Sequence, residues 1–536
     1  MSDAAKTVDD KTVDYEVGRD NITPFGLDIH NPVFLISGLS VVAFVIVTLM
    51  FQQGATEFFG WLRPFLTSTF DWFFIGAGDI FVLFTIFLIV SPLGRIRLGG
   101  KDARPDYSYI GWFSMLFAAG MGIGLMFFGV SEPMSHFASS MGGTVVENGV
   151  RTDWAPLGAA AGDAMAARSL GMAATIYHWA LHPWAIYATV ALALAFFTFN
   201  RGMPLTLRSA FYPLFGDRVW GWTGHIIDTL AVFATIFGLA TSLGFGTQQA
   251  LAGFNYLFGW GTGNFAQVLL ITIITGIALG SVLRGLDDGV KVLSEINMAL
   301  AALLFLFVLV VGPTGTILET IFSGGIAYVK ELLPLSMPFA REDANYSQGW
   351  TSFYWAWWIS WSPFVGMFIA RVSRGRTVRE FMVCVVIIPT VVSVLWMGTF
   401  GGTAIAQVMA DAAAPVKSVA LELKLFEMLK PLPLTALTSF LGIVLVIVFF
   451  VTSSDSGSLV VDTITAGGKT DAPVSQRVFW CSFEGLVAAT LLLVGGAKGL
   501  TAVQAMAVST GFPFTIVLLG MCLSLLIGLR QARKEM

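Results

Sequence analysis

Four of the sixteen tryptophans in this 536-residue chain fall within seven residues: Trp355, Trp357, Trp358 and Trp361, inside an apolar run from Gly349 to Ala370. On a helix, Trp357 and Trp361 are four residues apart and Trp358 and Trp361 three, so these indoles share one broad face. Isolated interfacial tryptophans usually sit at the ends of a membrane span. These occupy its middle. An aromatic wall at that depth suits a quaternary ammonium group, because cation–π attraction works where water and counter-ions are excluded. Bulky packing between helices is the competing reading.

Three other stretches could do chemistry. YHWALHPWAIY (177–187) puts Trp184 and Tyr187 on one face, with Trp179 one turn before Pro183, whose ring can kink the helix. His178 and His182, four apart, have no third ligand in sight; the five histidines form no ligand cluster and read as structural. Ala118–Gly124 (AAGMGIG) carries glycines at alternate positions, each costing about 1 kcal/mol in a helix relative to alanine. Close helix packing would want glycines four apart. Alternate spacing favours an unwound stretch, which survives at membrane depth only where it lines a cavity or binds something. Finally, FFVTSSDSG (449–457) offers the hydroxyls of Thr452 and Ser453, hard oxygen donors for a small cation, or else a plain helix terminus.

The elements that must position these groups are membrane spans. The chain is 56% hydrophobic and 12% charged, which makes it a membrane protein by composition. A span needs about 20 apolar residues. Twelve runs qualify, near 33–51, 73–93, 109–130, 173–199, 226–253, 265–283, 294–312, 349–370, 380–402, 434–454, 477–496 and 506–529. Basic residues gather in the connections after even-numbered runs, including Arg95, Arg97, Arg201, Arg208, Arg371 and Arg374. The positive-inside rule then predicts both termini in the cytoplasm. The net charge of -4 gives no reason to expect a nucleic-acid partner, and the three cysteines show neither metal nor disulfide spacing. No nucleophile, base or metal cluster at depth suggests an enzyme, and no ring of polar residues suggests a channel.

Taken in order, residues 1–29 are expected to form a polar cytoplasmic tail and 30–108 to hold two extra N-terminal helices. Runs 3–7 (109–312) and 8–12 (349–530) have the count of two five-helix repeats, with 531–536 a short cytoplasmic C-terminus. The moderately apolar segment within 313–348 reads as an amphipathic helix on the outer surface, and 403–430 looks similar. Runs 3 and 8 each open a repeat and carry its densest anomaly. Corresponding irregular helices in two halves are the best sequence pointer to a transporter site.

The stretches GMGIGLMFFGVSEP (120–133), YHWALHPWAIY (177–187), ATIFGLATSLGFG (234–246), FYWAWWISWSPFVGMFIARVSRGRTVREF (353–381) and FFVTSSDSG (449–457) together resemble the betaine/carnitine/choline transporter family, with the match running from the first run to the last. The resemblance implies an all-α polytopic membrane protein of 12 transmembrane helices. Its fold would be LeuT-type, two inverted five-helix repeats preceded by two extra helices, assembled as a homotrimer in the inner membrane. It implies substrate binding at Trp179, Trp184, Tyr187, Trp357, Trp358 and Trp361, with Trp355 nearby. It implies Na⁺ as coupling ion, held by the backbone of Ala118, Met121 and Phe449 and the hydroxyls of Thr452 and Ser453. A second family sodium site would use Thr235 and Phe364, but Leu239 stands where its second threonine is expected, which puts that ion in question. Osmosensing relatives carry a longer basic C-terminal helix, so stress gating by such a tail is not expected.

Choline carriers of the family tend to have Asp where this chain has Gly124, and no Asp or Glu falls in the middle of runs 3, 4 or 8. A zwitterion is therefore expected, glycine betaine first, then dimethylsulfoniopropionate, carnitine or ectoine. Its carboxylate would meet backbone N–H groups near Gly122 and Gly124. No Lys or Arg lies inside the runs forming the site, which favours sodium symport. Asp79, Asp228 and Glu484 are the candidates for a proton-coupled choline carrier, the alternative.

Overall fold

The computed structural model describes residues 15–120, 122–284, 289–496 and 499–535. Each apolar run falls on a helix or an interrupted helix pair. The helices are α1 (Val33–Met50), α2 (Gln52–Val90), α3 (Tyr109–Gly120), α4 (Ile123–Gly142), α5 (Ala164–Trp179) and α6 (Leu181–Arg201). There follow α7 (Trp222–Phe258), α8 (Asn264–Arg284), α9 (Gly289–Val311), α10 (Thr314–Leu335) and α11 (Ser352–Arg371). The chain closes with α12 (Val378–Ala410), α13 (Thr435–Thr465), α14 (Val474–Gly495) and α15 (Gly499–Glu535). The only sheets among the described residues are two-stranded. This is an all-α polytopic membrane protein.

Ten helical segments among the described residues are long and apolar enough to cross a membrane by themselves. The runs at 109–130 and 349–370 fall outside that set for visible reasons. The first is divided into α3 and α4, and the second is diluted by the tryptophans, serines and proline of α11.

Helix ends follow local chemistry. Thr377 and Glu380 form a reciprocal capping box that starts α12. Gly202, at φ 65°, closes α6 in the left-handed conformation that a side chain would strain. Packing then orders the bundle: α6 lies on α11, α4 on α12, α7 on α13, α8 on α14, α9 on α13 and α15 on α7. Counting α3–α4 and α5–α6 as single runs, exchanging each run with the one five later maps this set of contacts onto itself.

Several expected boundaries move. Helix α2 begins at Gln52, well before 73, bending at Phe70 where the backbone leaves helical values. Helix α13 runs on to Thr465, so the 449–457 hydroxyls lie inside a helix; Thr452, for one, bonds back to the Val448 carbonyl at 3.0 Å, which lets the helix continue. Segment 403–430 is not a second amphipathic helix. It completes α12, turns, and forms one short helix at Lys424–Leu429, where buried Lys424 donates to the Val416 and Lys417 carbonyls at 2.8 and 2.9 Å. Helix α10 packs along α5 and α12, with Arg168 bonded to Glu319 at 2.6 Å.

The N-terminal segment is more than a tail. Its first 14 residues lie outside the described ones, but Asn21–Ile22 pairs with Ile29–His30. Asn21 donates to the Ala466 carbonyl at 2.9 Å, and Lys469 bonds Asp28 at 2.5 Å. Burial would raise the Asp28 carboxyl, but its bonds from Lys469 and Asn21 outweigh that and hold it below its usual value.

Candidate substrate and ion site

The glycine-rich run breaks where its spacing predicts. Helix α3 ends at Gly120 and α4 begins at Ile123, with Gly122 extended at φ -170°, ψ -175°. The first N–H groups of α4 therefore have no carbonyl a turn before them. This broken segment borders a small cavity. Gly122, Gly124 and Leu125 form one wall, Trp179, Trp184 and Tyr187 another, and Trp357, Trp358 and Trp361 a third. Ser242 of α7 and Ser393 of α12 complete it.

The aromatic walls interlock. Trp358 stacks on Trp357 at 5.0 Å and meets Trp179 edge-on at 4.9 Å and Tyr187 at 6.0 Å. Trp184 stands edge-on to Tyr187 at 5.3 Å. The Tyr187 hydroxyl and the Trp357 indole N–H are buried without a protein partner. The cavity thus offers ring faces for an onium group, and donors and helix N–H groups for an anionic end. Helix α5 stops at Trp179 and α6 restarts at Leu181, with Ala180 non-helical. The interruption lies three residues before Pro183, because proline is tolerated in the first turn of the new helix.

Trp355 stands apart from this cavity. It points toward α2, stacking on His182 at 5.1 Å, while His182 bonds Asp79 at 3.0 Å.

A second cavity brings together Ala118, Phe449, Thr452 and Ser453, with Asn297 and Ser294 opposite. Trp361 lines both cavities and is fixed by its indole bond to the Gly238 carbonyl at 2.9 Å. The carbonyl and hydroxyl oxygens available here are the hard, neutral donors a monovalent cation accepts. Met121 lies outside the described residues. Of the second expected ion site, Phe364 lines this same cavity, but Thr235 is buried in α7 with its hydroxyl bonded to the Ala231 carbonyl. Leu239, which has no oxygen to offer an ion, packs closely against Gly457 of α13.

One residue the sequence reading passed over is central. Glu132, just beyond the boundary assigned to the third run, is fully buried in α4. One carboxylate oxygen accepts from the Trp179 indole at 2.6 Å and the Tyr354 hydroxyl at 2.5 Å. The other meets His178 at 2.6 Å and His136 at 3.3 Å. A carboxyl next to Pro133 in an apolar stretch was the available signal. The expectation that no histidines cluster is overturned, since the ligand-capable atoms of Glu132, His136 and His178 lie within 4.8 Å of one another. Helix α4 supplies two of them and α5 the third, so only the fold reveals the group. The 2.6 Å contact is a hydrogen-bonding distance, and the groups form one buried hydrogen-bonded network.

Gly124 has a specific reason to be glycine. A Cβ there would lie 2.7 Å from the Trp179 ring and 3.3 Å from Trp357. Gly124→Ala should therefore displace Trp179 and weaken ligand binding roughly tenfold, on the cost of an off-rotamer side chain of about 1 kcal/mol or more. Quenching of tryptophan fluorescence on ligand titration reads this, and an unchanged affinity would mean the ring yields freely.

Comparison with known proteins adds the following. The profile of the "BCCT, betaine/carnitine/choline family transporter" family matches residues 32–534. A glycine betaine/proline/choline transporter of Vibrio parahaemolyticus is 64% identical over 520 residues, covering 96% of this chain and 94% of that one. A glycine betaine transporter of the same organism is 53% identical, covering 98% of both chains. The glycine betaine transporter OpuD of Bacillus subtilis is 42% identical, covering 88% of this chain and 89% of its own.

Proposed function

Because the chain belongs to the betaine/carnitine/choline family of transporters, and is thus a transporter rather than an enzyme, we propose that it imports glycine betaine across the inner membrane by sodium symport. The relatives named for glycine betaine support the substrate. The observation that carries the coupling is the pair of cavities meeting at Trp361, one walled by aromatic faces, the other by neutral oxygens. Dimethylsulfoniopropionate fits the same cage, because ring faces read only positive charge and methyl surface.

The proposed architecture is twelve spans in a LeuT-type fold, with two inverted repeats after α1 and α2. The six helix contacts that exchange in this way support the repeats, and the basic even-numbered connections support cytoplasmic termini. The assembly proposed is a homotrimer, and the physiological role osmoprotectant uptake.

In this mechanism Na⁺ enters the second cavity, where the Phe449 carbonyl and the Thr452 and Ser453 hydroxyls meet the end of α3 at Ala118. Its binding steadies the break between α3 and α4. The onium group then settles among Trp179, Trp184, Tyr187, Trp357, Trp358 and Trp361, and the carboxylate turns to the N-terminus of α4. Rocking of one helix set against the other alternates access.

Uptake by proteoliposomes in Na⁺ against K⁺ tests the reading. Betaine accumulation that requires Na⁺ supports it; equal uptake in K⁺ would overturn the coupling. Thr452→Ala with Ser453→Ala should raise the half-saturating Na⁺ concentration at least tenfold, each lost ligand costing about 1 kcal/mol. An unchanged Na⁺ response would remove the ion from this cavity.

A proton-coupled choline carrier is the second reading. One relative is named for choline as well as betaine, and Glu484 of α14 is fully buried with one oxygen bonded to Ser454 at 2.8 Å and the other unpartnered. Choline uptake that follows an inward proton gradient and ignores Na⁺ would establish it.

A further inference from the structure

Buried indoles in this site are treated unequally. The Trp358 N–H donates to the His178 carbonyl at 3.0 Å and the Trp361 N–H to the Gly238 carbonyl at 2.9 Å. The Trp357 N–H is buried with no protein partner at all. Trp179 alone donates to a carboxylate, and that carboxylate is fully buried. Burying Glu132 is costly, whereas a backbone carbonyl would have satisfied an indole at little cost. Satisfying one N–H is therefore too small a reason for its presence.

We propose that Glu132 is a positioning residue of the substrate cage, anchoring the Trp179 ring and making it a stronger acceptor for a cation. Trp179 has only an N–H to offer, so it is the donor and the Glu132 oxygen the acceptor. A hydrogen bond to an ionised acceptor is short and roughly twice as strong as a neutral one, and it draws the proton toward the oxygen. Electron density on the indole rises in response, and the attraction of its face for an onium group rises with it. Tyr354 of α11 donates to the same oxygen at 2.5 Å, so one carboxylate joins α4, α5 and the tryptophan-rich helix. His178 and His136 hold the other oxygen and fix the carboxylate plane.

Position matters as much as charge. Glu132 is the tenth residue of α4, about 15 Å along the helix from the break at Gly122. A shift of α4 at its broken end is thereby carried to the face of Trp179. This rests on the onium reading of the cavity, and its test separates the two.

Initial rates of glycine betaine uptake are measured in proteoliposomes for the unaltered chain, Glu132→Gln, Trp179→Phe and the double variant. Glu132→Gln should raise KM about tenfold while turnover falls less than threefold, since the lost contact acts on the bound onium group. Trp179→Phe, which has no N–H to anchor, should also raise KM. The double variant should be no worse than Trp179→Phe alone. Multiplying effects, or a loss confined to turnover, would overturn the proposal. Where Glu132→Gln fails to reach the membrane, Glu132→Asp keeps the charge for the two histidines but falls short of Trp179 by one methylene. It should raise KM similarly, and an unchanged KM would overturn the proposal. Should the unaltered chain take up choline and not betaine, the substrate reading alone falls, and the same four-way comparison is made on choline.

Discussion

Trp358→Leu is expected to reduce uptake at least a hundredfold while the folded protein remains in the membrane. The indole makes four aromatic contacts, to Trp357 at 5.0 Å, Trp179 at 4.9 Å, and Tyr187 and Tyr354 at 6.0 Å, and bonds the His178 carbonyl at 3.0 Å. Leucine keeps an apolar body but has no π face. In a water-excluded cage the lost cation–π attraction is about 2 kcal/mol, and each aromatic pair adds about 0.5–1.5 kcal/mol to the ordering of the walls. At 1.4 kcal/mol per tenfold, a total of about 3 kcal/mol suffices for the stated loss. The smaller leucine leaves room at the cavity wall for a water to meet the freed His178 carbonyl, so the fold survives. Uptake per unit of monodisperse, detergent-extracted protein separates lost transport from lost protein. Normal uptake by this variant would sink the cage.

What the sequence made legible is what period and composition encode locally. Glycines at 120, 122 and 124 weaken a helix through their backbone entropy, and the chain breaks between Gly120 and Ile123. Tryptophans at 357, 358 and 361 share a face on any helix, and they share a wall here. Trp355 was the exception. Two residues from Trp357, it points to the other side of α11, and its company with His182 depends on where α2 lies. The same limit hid the Glu132 group, which joins residues 46 and 222 positions apart across three helices. No local pattern reports such a meeting. The hydroxyls of 449–457 misled differently: they read as a helix end, but Thr452 bonds back to the Val448 carbonyl inside α13, and Thr452, Ser453 and Ser456 face a cavity from mid-helix.

The other large effect concerns stability. Asp228→Ala should cost about 3–5 kcal/mol and leave little folded protein. Asp228 and Arg208 are both buried and meet at 2.5 Å, and a second Asp228 oxygen accepts from the Arg208 backbone N–H at 2.9 Å. The two terminal guanidinium nitrogens of Arg208 have no partner, so this carboxylate is the only acceptor its side chain has among the described residues. Removing Asp228 strands a buried cation, whereas Arg208→Ala with Asp228→Ala removes both charges and should recover most of the loss. Thermal unfolding of the purified variants reads the difference. An Asp228→Ala protein as stable as the parent would mean Arg208 finds another acceptor. The pairing also bears on coupling. An aspartate locked to arginine and to a backbone N–H is poorly placed to release and regain a proton in each transport cycle. Asp79 has a single bonding contact among the described residues, to His182 at 3.0 Å, and lies beside Trp355 outside the aromatic cage. Of the three acidic residues that composition offered as proton carriers, the fold leaves Glu484 with an unpartnered oxygen, and it belongs to α14, which does not line the aromatic cage. The parent and the double variant should therefore share one pH profile of uptake.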